Sequence, residues 1–273
     1  MRLASVVVLC GCDGVLGLRA SGLADATDGR PSPTCPPIGT APTFGGQLGA
    51  IPARGCDDYS ISLATDTAIA RCNFTSIASG PIDGPPTVLD LPYPMGPEPK
   101  LAPEGNLLFV KYYSATPSQY AIDTLVSAGG SWAYASTYAP LGQLPTISAP
   151  SRGPDRRLLV ADSQLDVLEE LADAGTGAWS MHDQYARASA PLLLPAAIEY
   201  VGLSEDGLRA IFSVPSGSFA TTDLYYADRQ QIADRFGAAT KLDVPANLAT
   251  PYLREDCGRI YFSALDTILY IDQ

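Results

Sequence analysis

Six cysteines and one histidine set the limits of the chemistry open to this 273-residue chain. His182 sits in the run Trp179-Ser180-Met181-His182-Asp183, and any Ser-His-Asp relay would have to use it. A lone histidine in such a setting reads as structural. No Cys-x-x-Cys pair accompanies it, whereas zinc needs clustered thiolates or imidazoles. Asp155, Glu205, Asp206 and Asp256 stand in turns, where hydrogen bonds to nearby backbone amides favour acidic residues. The Asp-x-Asp-x-Asp-Gly pattern of a calcium loop is not present. No metal, no cofactor and no enzymatic activity are therefore expected. Asn73-Phe74-Thr75 matches a glycosylation sequon. Beyond the N-terminal Cys10 and Cys12, the cysteines are Cys35, Cys56, Cys72 and Cys257, an even set suited to an oxidising compartment. Four cysteines allow three pairings, and the choice depends on the elements that carry them.

Those elements are strands. Hydrophobic residues make up 46% of the chain and charged ones 17%, with 25 Gly, 24 Pro and 14 Tyr, a balance that indicates an all-β protein. No long stretch has helical apolar spacing with caps at both ends; 164–172 comes nearest. The length suits one repeat domain with a leader. A net charge of −12 excludes nucleic acid as a partner, because phosphate binding needs a basic face.

Five phrases share a short apolar strand, a polar turn and a stronger apolar or aromatic strand. They are YSISLATDTAIARC (59–72), PKLAPEGNLLFVKY (99–112), ISAPSRGPDRRLLVAD (147–162), YVGLSEDGLRAIFSV (200–214) and YLREDCGRIYFSA (252–264). With Ala70, Phe109, Val160, Phe212 and Phe262 taken as equivalent, the spacings are 39, 51, 52 and 50 residues. Several strands repeating at such a period are the mark of a β-propeller, whose units need their neighbours to bury their faces. Asp206-Gly207 and Glu104-Gly105 supply hairpin turns, and Gly258 is expected to do so in the last unit. A third strand follows each hairpin, best seen at 222–228 and 266–272. The last unit stops after three strands, while FGGQLGAIPARGCDDYSI, from Phe44, is similar to the stretch that continues the preceding unit. An N-terminal strand completing the last sheet closes such a ring without a bare edge.

In the fourth unit LSEDGLRAIFSV, DLYYADR and RFGAATKLDVPAN resemble the repeats of TolB-type β-propellers, found in many bacterial envelope proteins. The likeness runs over 199–273, is fainter over 97–112 and faintest over 140–190, and it concerns architecture alone. TolB-type propellers commonly have six blades. The fold expected here is all-β, a propeller over 44–273 with five blades (six being the alternative), closed by the N-terminal strand. In a blade the a–b turn and c–d loop lie on one face and the b–c and d–a loops on the other. Cys56 precedes the first strand of unit one and Cys72 ends its second. Cys257 lies in the a–b turn of the last unit, and Cys35 precedes the strand completing that unit. The expected disulfides are therefore Cys56–Cys72 and Cys35–Cys257, with the second locking the ring.

Met1-Arg2 and the short apolar run that follows make a targeting segment too short to span a bilayer as a helix. Leu9-Cys10-Gly11-Cys12 resembles the lipobox of bacterial lipoproteins, which implies a signal over 1–12 and lipidation of Cys12. Residues 13–43, rich in Gly, Pro, Asp, Ser and Thr, read as a flexible tether. Tyr112, Tyr113, Tyr225, Tyr226, Tyr261 and Tyr270 are expected to pack between blades, and Tyr134, Tyr138 and Tyr185 to lie in less regular segments.

The expected protein is a membrane-anchored lipoprotein of the bacterial envelope, periplasmic or cell-surface, and a non-catalytic scaffold. It would bind another envelope protein or a small ligand on one propeller face and touch the membrane through its lipid alone. The alternative is a propeller hydrolase or lactonase with a metal in the central channel, which carboxylates converging at the channel mouth would favour.

Overall fold

The computed structural model describes residues 35–273, apart from 52–54, 92–96, 116–117, 129–130, 142–144, 154, 163–165, 174–177, 187, 217–221, 245–248, 255–256 and 265–266. The side chains of 249 and 264 are not described either. The expected signal with Cys12, and the expected tether as far as 34, lie outside the described residues, as does Asp256.

Among the described residues twenty strands form five four-stranded antiparallel sheets, and there is no helix. The chain enters through β1 (Gly49–Ala50). Blade one is β2 (Cys56–Ser62), β3 (Thr67–Cys72), β4 (Ser76–Pro81) and β5 (Thr87–Val88). Blade two is β6 (Glu98–Leu101), β7 (Leu107–Ala115), β8 (Ser118–Ala128) and β9 (Ser131–Leu141). Blade three is β10 (Pro145–Ile147), β11 (Arg156–Asp162), β12 (Val167–Asp173) and β13 (Trp179–Ala186). Blade four is β14 (Tyr200–Leu203), β15 (Arg209–Pro215), β16 (Thr222–Asp228) and β17 (Thr240–Lys241). Blade five is β18 (Ala249–Leu253), β19 (Arg259–Ala264) and β20 (Thr267–Asp272), with β1 as its outer strand. The fold is a five-bladed β-propeller closed by the N-terminal strand.

The second strand of each blade is apolar on both sides because both faces of a blade are covered by neighbours. On β15, Phe212 joins the cluster shared with blade three, while adjacent Ile211 joins the cluster shared with blade five. Ala70, Phe109, Val160 and Phe262, at the matching positions, are likewise buried. Period-two alternation is therefore suppressed in these strands, and they read as short continuous apolar runs.

The a–b turns hold the ring together from one end. Ser62 Oγ donates to Pro103 O at 2.5 Å, linking blades one and two, and Gly153 N donates to Glu104 Oε1 at 3.0 Å, linking two and three. Arg152 donates to Glu205 through its backbone N at 2.6 Å and its Nη2 at 2.7 Å, linking three and four. The Tyr252 hydroxyl is shared between Glu205 Oε1 at 3.4 Å and Ile61 O at 3.2 Å, which joins blade five to four and to one. The turns need left-handed backbone at Gly105 (φ 72°) and Gly207 (φ 70°). In blade five that position falls on Cys257 (φ 57°) and not on Gly258 as expected from sequence. The Cys257 N–H donates to Arg254 O as the Gly207 N–H does to Ser204 O, which fixes the equivalence.

The segment read as tether up to 43 is corrected over its described part, because residues from Cys35 onward belong to the propeller's compact unit. Phe44 is buried among Leu253, Ile260 and Phe262 of blade five and Ile211 and Leu224 of blade four. Gly39 N donates to Asp228 Oδ2 at 2.7 Å, and Gly46 N to Asp272 O at 3.2 Å. Long-range anchors, invisible in local composition, thus order a Pro- and Gly-rich stretch. The disulfides are Cys35–Cys257, joining this arm to blade five, and Cys56–Cys72, a directly opposed pair across β2 and β3.

The arm passes close over Tyr270: a Cβ on Gly49 would lie 2.1 Å from that ring's Cζ. Gly49→Ala is expected to displace the ring or the arm and to cost about 1–3 kcal/mol, as overpacking does. Thermal unfolding measures it, and an unchanged midpoint would show that β1 does not hold this close approach.

Candidate functional site

The innermost strands β2, β6, β10, β14 and β18 surround the ring's axis and all begin at the end opposite the a–b turns. Charged and polar residues gather where they begin. In β2 a bulge between Asp57 and Ser60 puts Asp58 in the left-handed region (φ 52°), and in β18 a bulge between Ala249 and Tyr252 does the same to Thr250 (φ 46°). The two bulges meet through Ser263. Its Oγ accepts the Asp58 N–H at 3.3 Å and lies 2.6 Å from Thr250 Oγ1.

Arg71 on β3 grips Asp57 with Nε at 2.7 Å and Nη2 at 2.5 Å. The same Nη2 lies 3.0 Å from Asp58 Oδ2, and Lys100 Nζ on β6 lies 3.8 Å from Oδ1. Neither Asp58 oxygen receives an aligned hydrogen bond, so these contacts balance its charge without directing an N–H at it. Lys111 on β7 pairs with Glu98 and donates to Pro145 O at 2.7 Å, carrying the network into blade three. Burial pushes the Glu98 carboxyl up, with the Lys111 charge opposing; burial also raises Asp57 against its Arg71 hydrogen bond. The Tyr200 phenol on β14 is pushed up to about 12, by burial first and then by the Asp58 and Glu98 charges. Tyr200 on blade four thus feels the acids of blades one and two.

Beside this mouth stands the β7–β8 hairpin. The last inner pair of blade two is Glu98 with Lys111, yet β7 and β8 stay paired out to Ala115 with Ser118. Four further residue pairs raise the hairpin by about 13 Å. Tyr113 and Tyr120 pack edge to face there, ring centroids 5.1 Å apart, and Lys111 Nζ lies 5.3 Å from the Tyr120 centroid. Tyr113 and Tyr120 are each half-buried, which leaves part of each ring exposed beside the mouth.

Three carboxylates converge at this mouth, and three cations are interleaved with them. The arrangement offers hydrogen-bonding and aromatic contacts. Among the described residues no group of three or more His, Cys, Asp or Glu is placed to hold a metal.

The residues weighed from sequence lie elsewhere. His182 is exposed on outer strand β13, next to Asp183, whose acidity is strengthened chiefly by the Arg235 hydrogen bond. Asp155 is exposed in the a–b turn of blade three. Glu205 is taken up in the inter-blade circuit, and Asp206 caps its own turn by accepting from Leu208 N at 2.9 Å. Of the tyrosines, Tyr226 and Tyr261 are buried between blades, Tyr112, Tyr113, Tyr225 and Tyr270 are half-buried, and Tyr134 is exposed. Sequence reasoning missed Asp57, Asp58, Arg71, Glu98, Lys100 and Lys111. The available signal was charge at the very start of two inner strands, Asp57-Asp58 before YSISLA and Glu98-Pro99-Lys100 before LAP.

No protein-family model matches the chain, and no curated protein is significantly similar to it in sequence. Among solved structures, a protein of unknown function from Desulfotomaculum acetoxidans is similar with a TM-score of 0.53 at 12% identity, over 77% of this chain and 62% of that one. Hydrazine synthase from Kuenenia stuttgartiensis gives 0.50 at 14%, over 82% and 57%. A protein assigned as a TolB from Agrobacterium tumefaciens gives 0.50 at 12%, over 81% and 78%. The chain thus spans about three fifths of the length of the first two. At these identities the likeness is one of fold: the chain has the architecture of a β-propeller and includes TolB proteins among its structural neighbours.

Proposed function

We propose that the protein is a non-catalytic binding module of the bacterial envelope, which takes its partner on the face where the β7–β8 hairpin overlooks the charged mouth. The observation that supports this reading is the hairpin itself, four pairs longer than its inner strand and carrying Tyr113 and Tyr120 beside Lys111. Tyrosine combines large area with a polar handle, and interfaces are rich in it. Two disulfides suit the oxidising space outside the cytoplasm. Lipidation of Cys12 is part of the proposal, with intact mass of the processed protein as its check.

A double Tyr113→Ser/Tyr120→Ser variant and the unaltered protein, each used as bait on a detergent-solubilised envelope extract, test the face. A partner retained by the unaltered protein should be lost about tenfold or more by a variant of unchanged melting temperature. Equal retention would move the binding face elsewhere.

The convergence of Asp57, Asp58 and Glu98 favours a second reading, a metal-dependent hydrolase acting on lactones. Against it stands the sealing of Asp58, which is 1% exposed. Calcium-dependent hydrolysis of a lactone, lost on Asp58→Asn, would establish that reading over the first.

A further inference from the structure

Outer strand β9 stands at the edge of blade two, but its backbone is closed to a further strand. Its register against β8 shifts twice, between Tyr134 and Ser136 and between Tyr138 and Leu141, and Pro140 has no N–H to offer. What β9 presents instead is a side-chain surface, and the first shift creates it. Leu125 pairs with Tyr134 and Thr124 with Ser136, which leaves Ala135 as a bulge. Tyr134 therefore shares a face with Thr137, three residues on, whereas in a regular strand the two would point to opposite sides. The Tyr134 hydroxyl lies 3.0 Å from Thr137 Oγ1, which ties the ring along the strand. Thr137 Oγ1 in turn donates to Asp123 Oδ1 on β8 at 2.5 Å, so Tyr134 is the donor of its own pair. The Tyr112 hydroxyl on β7 donates to the same carboxylate. Asp123 is buried beneath this network, while Tyr134 is 64% exposed and has only exposed alanines, Ala133 and Ala135, on either side. Trp132, half-buried on the same face, stands about 7 Å further along the strand.

We propose that this face of blade two binds a neutral sugar chain. The C–H groups of a sugar ring are slightly positive and lie well on the negative face of an aromatic ring, and Tyr134 offers such a face already fixed in place. Sugar hydroxyls both donate and accept, as the hydroxyls of Thr137 and Tyr112 do. Charge selects a neutral ligand. Asp123 is the single charged residue between Lys111 and Arg152, in a chain whose net charge is −12. It is buried and already accepts from Thr137 and Tyr112, so it orients hydroxyls and does not stand open to a cation. The site is separate from the Tyr113–Tyr120 pair, which lies on the opposite, blade-three face of the same sheet, and it does not depend on the hairpin's role. A shallow platform with few hydrogen bonds gives a dissociation constant on the order of millimolar.

Amide NMR titration of the disulfide-intact protein with cellohexaose, chitohexaose and maltohexaose, each up to roughly ten times that dissociation constant, tests the proposal. At least one of the three is expected to bind and to shift the amides of Asp123 and of 132–137. Tyr134→Ala should weaken that binding about tenfold or more, with melting temperature unchanged. Tyr134→Phe keeps the ring and should stay within about threefold of the unaltered protein. The Tyr113→Ser/Tyr120→Ser variant should bind the sugar as the unaltered protein does, which separates this site from the hairpin. Failure of all three sugars to bind overturns the proposal, and so does a Tyr134→Ala variant that binds equally well. Shifts confined to the hairpin and the charged mouth, lost with Tyr113 and Tyr120, would place the sugar there and overturn it too.

Discussion

Replacing Cys35 and Cys257 together by serine is expected to lower stability by about 3–5 kcal/mol and to release the N-terminal arm from blade five. The bridge spans 222 residues, and loop-closure reasoning gives such a span about 5 kcal/mol, against about 3 kcal/mol for the 16-residue span of Cys56–Cys72. Position sharpens the contrast. β1 pairs with β20 through Gly49 with Tyr270 and Ala50 with Leu269, flanked by bonds from Gly46 and Ile51. So short a strand cannot offset the cost of ordering its own arm. Without the covalent link the outer edge of β20 opens, and the ring is left as four complete blades and one three-stranded sheet. Chemical denaturation of the double variant measures the loss, and hydrogen exchange locates it. Amides of 267–272 should exchange faster while those of β11 stay protected. Equal destabilisation by Cys56→Ser/Cys72→Ser, or unchanged exchange in β20, would show that the bridge is not what closes the ring.

This closure was legible in the sequence because it is written twice, in a last unit that stops after three strands and in a matching phrase near Phe44. The blade count came from the second strands, where burial on both faces forces an apolar run around Phe109, Val160, Phe212 and Phe262. The disulfide pairing followed from which strand ends share a face. Two parts were hidden for physical reasons. The arm from Cys35 to Thr43 is held by a buried Phe44, a disulfide and bonds to blade four, none of which leaves a local pattern. The charged mouth is built from residues far apart in the chain, Asp58 with Lys100 and Glu98 with Tyr200. Each looks like an ordinary solvated charge until inner strands bring them round one axis. The turn at Cys257 was misread because Gly258 carries the residue type that a left-handed position favours. Counting from Arg254 shows that Cys257 takes that position, where the disulfide holds it.

The interface of blades three and four carries the second large effect. Arg229→Ala is expected to cost about 3–5 kcal/mol, since it removes one partner of a fully buried ion pair. The Arg229 side chain is 0% exposed; its Nη1 donates to Glu170 Oε1 at 2.8 Å and Oε2 at 3.0 Å. Its Nε donates to Gly207 O at 2.8 Å, and its guanidinium lies 4.4 Å from the Phe236 ring centroid. Truncation therefore leaves Glu170 with Arg157, at 3.4 Å, as its one cation among the described residues, and takes a donor from the a–b turn of blade four. Coulombic attraction alone does not make the pair stabilising, because burying both charges costs about as much as their attraction returns. The test is a double-mutant cycle. Glu170→Leu/Arg229→Met, which removes both charges and keeps the volume, should be clearly less destabilised than Arg229→Ala, with a coupling on the order of 1–3 kcal/mol. If the double variant loses as much as the two single changes added together, the cost lies in packing against Phe236 and the turn, and the ion pair holds the two blades only through its shape.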